Sequence, residues 1–125
     1  MRLRELCLCL SSTVFALAML FPHSVAAATG GPITSEEGAT MVEQKNDLVI
    51  LDVRNPNEYV AAHYPDALNI PVHELETRFS EVPAGRPVLV HCFKGKRAQR
   101  AYEILRKNRP DIKEIYYING EVTFN

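Results

Sequence analysis

The stretch of sequence that decides the fold runs from Val88 to Arg100 and reads VLVHCFKGKRAQR. Its first three residues are apolar and mostly β-branched, which predicts a short strand buried on both faces. Residues 92–96 read as a loop. The residues after the loop follow the spacing i, i+3, i+4, i+7 of an amphipathic helix, with apolar positions at Ala98, Ala101, Tyr102 and Leu105. A strand, a loop and a helix in this order are typical of an α/β fold.

Similar units lie on both sides of this stretch. Residues 48–51 (LVIL) and 115–118 (IYYI) predict two further buried strands. Three more helices are predicted, over residues 35–44 behind a capping box, 57–62 behind a proline, and 72–79. Residues 64–71, with two prolines, read as irregular. Strands that alternate with helices predict one α/β domain over residues 34–125, a parallel sheet with helices on both faces.

The first 28 residues predict an export signal. Arg2 and Arg4 form a short positive head, an apolar run covers residues 6–21, and small residues end at Ala28. We expect cleavage near Ala28, a flexible leader over residues 29–33, and a periplasmic or otherwise exported protein. The alternative is a membrane anchor, but the run is short for a span of about 20 apolar residues. We therefore expect no stable membrane association after cleavage.

Cleavage changes what charge and cysteine content imply. The remaining domain would be close to neutral, which gives no reason to expect nucleic acid as a partner. Cys7 and Cys9 would leave with the signal, and Cys92 would remain alone. A lone cysteine in an oxidising compartment cannot form an internal disulfide. It is therefore either buried and inert or a reactive thiol.

The loop around Cys92 favours the reactive thiol. The helix that begins near Arg97 directs its partial positive charge at the loop, which favours a thiolate. Gly95 lets backbone N–H groups turn inward to form an anion cradle. Lys94 and Lys96, together with Arg97, add positive charge nearby. Because the carboxyl ends of parallel strands carry the ligand sites of such sheets, the predicted fold places Cys92 where chemistry is expected.

A set of short motifs in fixed order resembles the rhodanese family. They are Leu51-Asp52-Val53-Arg54, Glu58-Tyr59, His63, Ala67-Leu68-Asn69-Ile70-Pro71 and Cys92-x-x-Gly95-x-Arg97. The layout is most similar to small single-domain periplasmic rhodaneses, and the resemblance covers residues 34–120. It implies a sulfurtransferase that takes a sulfane sulfur from a donor such as thiosulfate and passes it to cyanide or a thiol.

The resemblance also implies roles for individual residues. Cys92 is the nucleophile that carries the sulfur as a persulfide. The substrate cradle is the stretch Phe93, Lys94, Gly95, Lys96 and Arg97. A polar network braces the site, formed by Asp52, Arg54 and Glu58. Neither a metal nor an organic cofactor is implied, and the partners are a small anionic sulfur donor and a thiol or cyanide acceptor.

Two departures from the family pattern affect these expectations. Ala98 stands where the family usually has a Ser or Thr, so a hydroxyl donor is missing from the loop. The third strand is usually followed by Gly-Gly and a closing helix, whereas here Gly120 is followed by EVTFN, so we expect a fold that is shortened at the C-terminus. We therefore expect open apolar surface near Ile115, Tyr117 and Phe124, and weak homo-oligomerisation through it.

Three other functions are open to this sequence. A tyrosine phosphatase would have five residues between cysteine and arginine, whereas four separate Cys92 from Arg97. A non-catalytic binding module or a persulfide carrier dedicated to one partner would carry the same motifs as a catalyst. A disulfide oxidoreductase needs a second thiol nearby, and the domain expected after cleavage has none, which argues against this function. His91 is expected to pack or hydrogen-bond at the end of its strand and not to act as a base.

Overall fold

The fold is a single five-stranded sheet with helices, seen in a computed structural model that describes residues 29–124. The predicted export signal lies outside the described residues. In chain order the elements are β1 (Thr29–Ile33), α1 (Ser35–Gln44), β2 (Val49–Asp52), α2 (Pro56–Ala61), β3 (Leu68–Asn69), α3 (Val72–Arg78), a 3-10 turn (Phe79–Glu81), β4 (Val88–His91), α4 (Lys96–Asn108) and β5 (Glu114–Ile118).

The sheet is parallel throughout, with the strand order β1-β5-β4-β2-β3. Its central strand is β4, which pairs with β2 on one side and β5 on the other. The prediction of an α/β fold with a parallel sheet is confirmed. Because all strands run the same way, their carboxyl ends share one edge of the sheet, and Cys92 follows β4 at that edge.

Alternate residues of each strand face different helices. Val88 and Val90 of β4 join a large core with residues of α3 and α4, such as Leu75 and Leu105. Leu89, between the two valines, belongs to a smaller cluster on the opposite face, against which residues of α1 pack. The three strand residues are fully buried, as expected for a central parallel strand. Helices on both faces are therefore confirmed as well.

The first strand corrects the prediction for residues 29–33. We expected a flexible leader because Gly30, Gly31 and Pro32 resemble linker sequence, but the segment is β1 and pairs with β5 along its whole length. The physical reason is close approach of the two backbones: a Cβ at Gly30 would lie 1.7 Å from the carbonyl oxygen of Ile115. Pro32 is tolerated because β1 lies at the edge of the sheet.

The C-terminal residues correct a second expectation. Ile115 and Tyr117 are buried, because α4 packs across this face of β5. Phe124 is half-buried, with its ring edge-on to the rings of Tyr64 and His91. The open apolar surface predicted at these positions is therefore not there, and the argument for self-association through it fails.

Local signals account for most of the element boundaries. Thr34 and Glu37 form the predicted capping box, in which each side chain accepts a backbone N–H of the other residue, at 3.1 and 2.8 Å. Pro56 is the first residue of α2, where its missing N–H costs nothing. The short strand β3 interrupts a segment predicted as irregular. Within residues 29–124, the helices are too short or too polar to cross a membrane.

Candidate active site

The site is built around the sulfur of Cys92. The residue directly follows β4 and is 2% exposed. Its Sγ accepts hydrogen bonds from the backbone N–H of Gly95 at 3.0 Å and from that of Ala98 at 3.4 Å. Ala98 lies in the first turn of α4, where backbone N–H groups have no partner within the helix. The sulfur therefore lies at the positive end of a 13-residue helix, where negative charge is stabilised.

Gly95 shapes the loop in front of α4. Its φ of +105° lies in the left-handed region, which residues with a Cβ rarely adopt. A Cβ at this position would lie 3.1 Å from the backbone nitrogen of Gly120 and 3.2 Å from Cα of Asn119. This conformation turns the Gly95 N–H toward the sulfur, so the glycine predicted from the sequence sets the direction of one of the two donors.

Four of the five predicted cradle residues, all except Gly95, line an open depression of about 410 Å³. It is lined by Cys92, Phe93, Lys94, Lys96 and Arg97. Phe93 is 41% exposed, and the Nζ atom of Lys94 lies 5.7 Å from the centre of its ring. Lys94 and Lys96 are both exposed at the rim. The depression therefore combines an aromatic wall with two solvated positive charges above a buried sulfur.

Arg97 contributes less free charge than expected, because Glu58 holds it. Two guanidinium nitrogens of Arg97 donate to the two Glu58 carboxylate oxygens, at 2.8 and 3.1 Å. The hydrogen bond from Arg97 is the main cause that lowers the pKa of Glu58 from 4.5 to about 2. Glu58 also accepts the backbone N–H of Asn55 at 2.9 Å, which fixes it at the start of α2. The pair ties the start of α4 to α2.

Asp52 and Arg54 form a separate, buried ion pair beside the loop. Asp52 is fully buried at the end of β2, and Arg54 is 7% exposed. The Arg54 Nη2 atom donates to Asp52 Oδ2 at 2.6 Å and to the carbonyl of Ala62 at 2.6 Å. The Phe124 ring covers the guanidinium, 4.9 Å from its centre. The structure thus divides the predicted bracing network into two pairs, of which only Glu58–Arg97 touches the loop.

His91, the last residue of β4, is fully buried between these groups. Neither ring nitrogen has a hydrogen-bond partner within residues 29–124, and Nε2 lies 3.8 Å from the Asp52 carboxylate. Burial lowers the pKa of His91, and the Asp52 charge opposes this effect only in part. The imidazole is therefore neutral near pH 7 and packs against the rings of Tyr64 and Phe124.

Sequence reasoning missed two contributors to the site. One is the backbone N–H of Ala98, for which the rule that the first turn of a helix leaves N–H groups free was a usable signal. The other is Val122, whose N–H donates to the carbonyl of Phe93 at 3.0 Å. No local pattern predicts this contact, because α4 and β5 lie between the two residues in the chain. No group of three or more potential metal ligands lies together within residues 29–124.

The fold and the site together are those of an α/β domain in which a buried cysteine lies between a central parallel strand and a helix N-terminus, with two backbone N–H groups directed at its sulfur. Comparison with protein families agrees with this geometry, because the model of the rhodanese-like domain matches residues 34–123. The chain belongs to the rhodanese-like domain family.

Individual proteins show which members of this family the chain is similar to. The chain is 35% identical over 69 residues to a protein of Allochromatium vinosum named sulfurtransferase, covering 55% of this chain and 64% of that protein. It is 31% identical over 77 residues to the thiosulfate sulfurtransferase GlpE of Coxiella burnetii, covering 62% and 70%. The solved structure of the human single-domain sulfurtransferase TSTD1 matches with a TM-score of 0.58 and 25% identity, over 73% of this chain and 90% of that one.

These likenesses support sulfur transfer in general. The chain spans 64% of the length of the Allochromatium protein and 55% of that of another bacterial relative. What those whole proteins act on is therefore a matter of proposal for this chain.

Proposed function

We propose that this protein is a sulfurtransferase that moves a sulfane sulfur from a small anionic donor such as thiosulfate to cyanide or a thiol through a persulfide on Cys92. The observation that carries the proposal is the pair of backbone N–H groups, from Gly95 and Ala98, that converge on the Cys92 sulfur. Such donors stabilise negative charge on sulfur without changing their own protonation.

The chemistry needs two displacements at sulfur. The Cys92 thiolate attacks the outer sulfur of thiosulfate, the S–S bond of the donor breaks, and sulfite leaves with the electron pair. The outer sulfur of the resulting persulfide is then attacked by cyanide or an acceptor thiolate, and the Cys92 thiolate leaves. Negative charge is carried by sulfur at Cys92 before and after each step. The backbone N–H groups of Gly95 and Ala98 would stabilise this charge.

The arginine of the loop argues against a phosphatase. A phosphoryl-binding loop needs its arginine free to grip the substrate oxygens, whereas both terminal nitrogens of Arg97 are engaged by Glu58. The shorter spacing from Cys92 acts in the same direction. The loop suits a single sulfur atom better than a phosphoryl group.

A dedicated persulfide carrier is the second candidate. It is favoured by Phe93, a large apolar side chain that stays 41% exposed at the mouth of the depression. Exposed aromatic rings beside a reactive group are typical of protein interfaces. A carrier would transfer sulfur quickly to one protein thiol and turn over slowly with thiosulfate and cyanide.

Intact-mass measurement tests the proposal. Incubation with thiosulfate should add the mass of one sulfur atom, and cyanide should remove it and release thiocyanate. Cys92→Ser should keep the fold and gain no mass. If the serine variant forms thiocyanate at the rate of the parent, Cys92 is not the sulfur carrier.

Export is part of the same proposal. We propose that residues 1–28 are removed near Ala28 and that the protein works outside the cytoplasm. N-terminal sequencing of protein from cell fractions checks this: a terminus near Thr29 in a soluble exported fraction supports it, and an intact Met1 in the membrane fraction contradicts it.

A further inference from the structure

The residues after β5 pack against the loop that surrounds the Cys92 sulfur. We call residues 119–124 the tail. Within the tail, Val122 is 6% exposed and its backbone N–H donates to the carbonyl oxygen of Phe93 at 3.0 Å. Phe93 is the residue directly after the nucleophile, so the tail holds the start of the loop by its backbone.

The tail also supports the far end of the loop. The α-carbon of Gly95 faces Asn119 and Gly120 so closely that a Cβ would come within 3.1 to 3.2 Å of their backbone atoms. Gly95 is the residue whose N–H points at the Cys92 sulfur. The two ends of the stretch from Phe93 to Gly95 therefore both rest on the tail, whereas Lys94 between them faces solvent.

The tail is fixed in turn to the beginning of the domain. The Ser35 hydroxyl, at the start of α1, donates to the carbonyl of Glu121 at 2.6 Å. The backbone N–H of Asn119 donates to the carbonyl of Ile33, the last residue of β1, at 2.9 Å. A continuous chain of contacts thus runs from the junction of β1 and α1, through the tail, to the loop.

We propose that the tail is a positioning segment of the sulfur-transfer site, in which the Ser35 hydroxyl and the Val122 N–H hold the loop so that its backbone donors point at the sulfur. This inference rests on the proposed function and deepens it. Donors that are already aimed at the sulfur need no reorganisation when charge moves during transfer, and this is how fixed dipoles accelerate reactions. Without the contacts from the tail, the loop would still contain Cys92, but its backbone N–H groups would point at the sulfur less accurately.

Two substitutions outside the loop test the proposal. Val122→Pro deletes the N–H that holds Phe93, and Ser35→Ala deletes the hydroxyl that anchors the tail. We expect kcat for sulfur loading from thiosulfate to fall about tenfold in Val122→Pro and about threefold in Ser35→Ala, with KM changed less than about twofold. Thr40→Ala is the matched control, because the Thr40 hydroxyl donates to Glu36 within α1 and does not touch the tail.

A second readout does not depend on sulfur transfer. In the parent, Cys92 is 2% exposed. Alkylation by an uncharged thiol reagent, at a pH where the thiol is ionised in every variant, reports how far the loop opens. We expect this rate to rise about fivefold in both tail variants and to stay at the parent value in Thr40→Ala. All rates are measured well below each variant's midpoint of thermal unfolding, so that global unfolding does not contribute.

The outcomes separate the two proposals. If both folded tail variants keep the parent kcat and alkylation rate, the tail only covers the sheet and the inference is wrong. If Val122→Pro shows no cooperative unfolding transition, Ser35→Ala decides by itself on the same criteria. If the parent protein loads no sulfur, the proposed function fails, and the alkylation rates alone show whether the tail holds the loop.

Discussion

Replacing Gly95 by alanine perturbs the loop at the point where backbone conformation and packing coincide. A Cβ at a φ of +105° costs about 1–2 kcal/mol, because an L side chain collides with its own backbone there. The same Cβ would lie 3.1 Å from the nitrogen of Gly120 and 3.2 Å from Cα of Asn119. Since both neighbours are backbone atoms, relief requires a shift of the chain, and such overpacking costs about 1–3 kcal/mol.

We therefore expect Gly95→Ala to lower the free energy of unfolding by about 2–5 kcal/mol. In a domain of this size each kcal/mol lowers Tm by about 4–8 °C, so the thermal midpoint should fall by at least about 8 °C. Rotation of the Gly95 N–H away from Sγ should also slow the formation of thiocyanate in the fraction that remains folded. Calorimetry and thiocyanate formation measure the two effects.

Gly85→Ala is the control for this prediction. Gly85 also has a positive φ, of +75°, but nothing lies within 4 Å of the place where a Cβ would be. This variant should lose only the conformational part, about 1–2 kcal/mol, and should keep its activity. Equal losses of stability in the two variants would refute the reasoning, because they would show that the tail yields freely to the loop.

Other substitutions probe the charges around the site. Lys94→Glu and Lys96→Glu should each raise KM for thiosulfate about two- to fivefold, and added salt should raise KM of the parent. Lys107→Glu, at an exposed position near the other end of α4, is the control and should leave KM unchanged. Arg54→Met leaves the Asp52 carboxylate buried without its cation and should cost about 3–5 kcal/mol in urea unfolding, whereas Arg78→Met, which breaks a solvated pair with Glu81, should cost much less. Because the pKa of Glu58 in the folded protein is about 2, below its ordinary value of 4.5, the stability from its pair with Arg97 is complete above pH 4.5 and is lost as pH falls toward 2; Glu58→Gln should lack this loss. Because burial lowers the pKa of His91, stability should also decline as pH falls below its ordinary value of 6.5, and His91→Phe should remove that decline; an unchanged pH profile would contradict it.

The parts of the fold that sequence could predict are those encoded by neighbouring residues. The run of Val88 to Val90 and the spacing of apolar residues after Gly95 identify β4 and α4, and Thr34 with Glu37 marks the start of α1. These signals are local, because strand and helix periodicities and caps depend on residues a few positions apart. Two strands escaped prediction for the same reason: β1 is rich in glycine, and β3 has two residues, so each exists only through its pairing with a neighbour.

The site divides along the same line. The position of Cys92 at the carboxyl end of a central strand, the conformational freedom of Gly95 and the basic residues around them follow from the order of residues along one short stretch. The pairing of charges around the site cannot be predicted from that short stretch. Arg97 pairs with Glu58, 39 positions earlier, and so adds less free charge to the loop than its place in the sequence implied.

By itself the sequence predicted a parallel α/β domain in which Cys92 lies between a central strand and the N-terminus of a helix, because the strand, the loop and the helix are each encoded by residues that are near neighbours in the chain. Only the tertiary structure showed that the loop is hydrogen-bonded to the tail and that Ser35, near the other end of the domain, is hydrogen-bonded to this tail as well. The reason is physical: a hydrogen bond between residues 86 positions apart depends on how the whole sheet is assembled, and no local pattern records it.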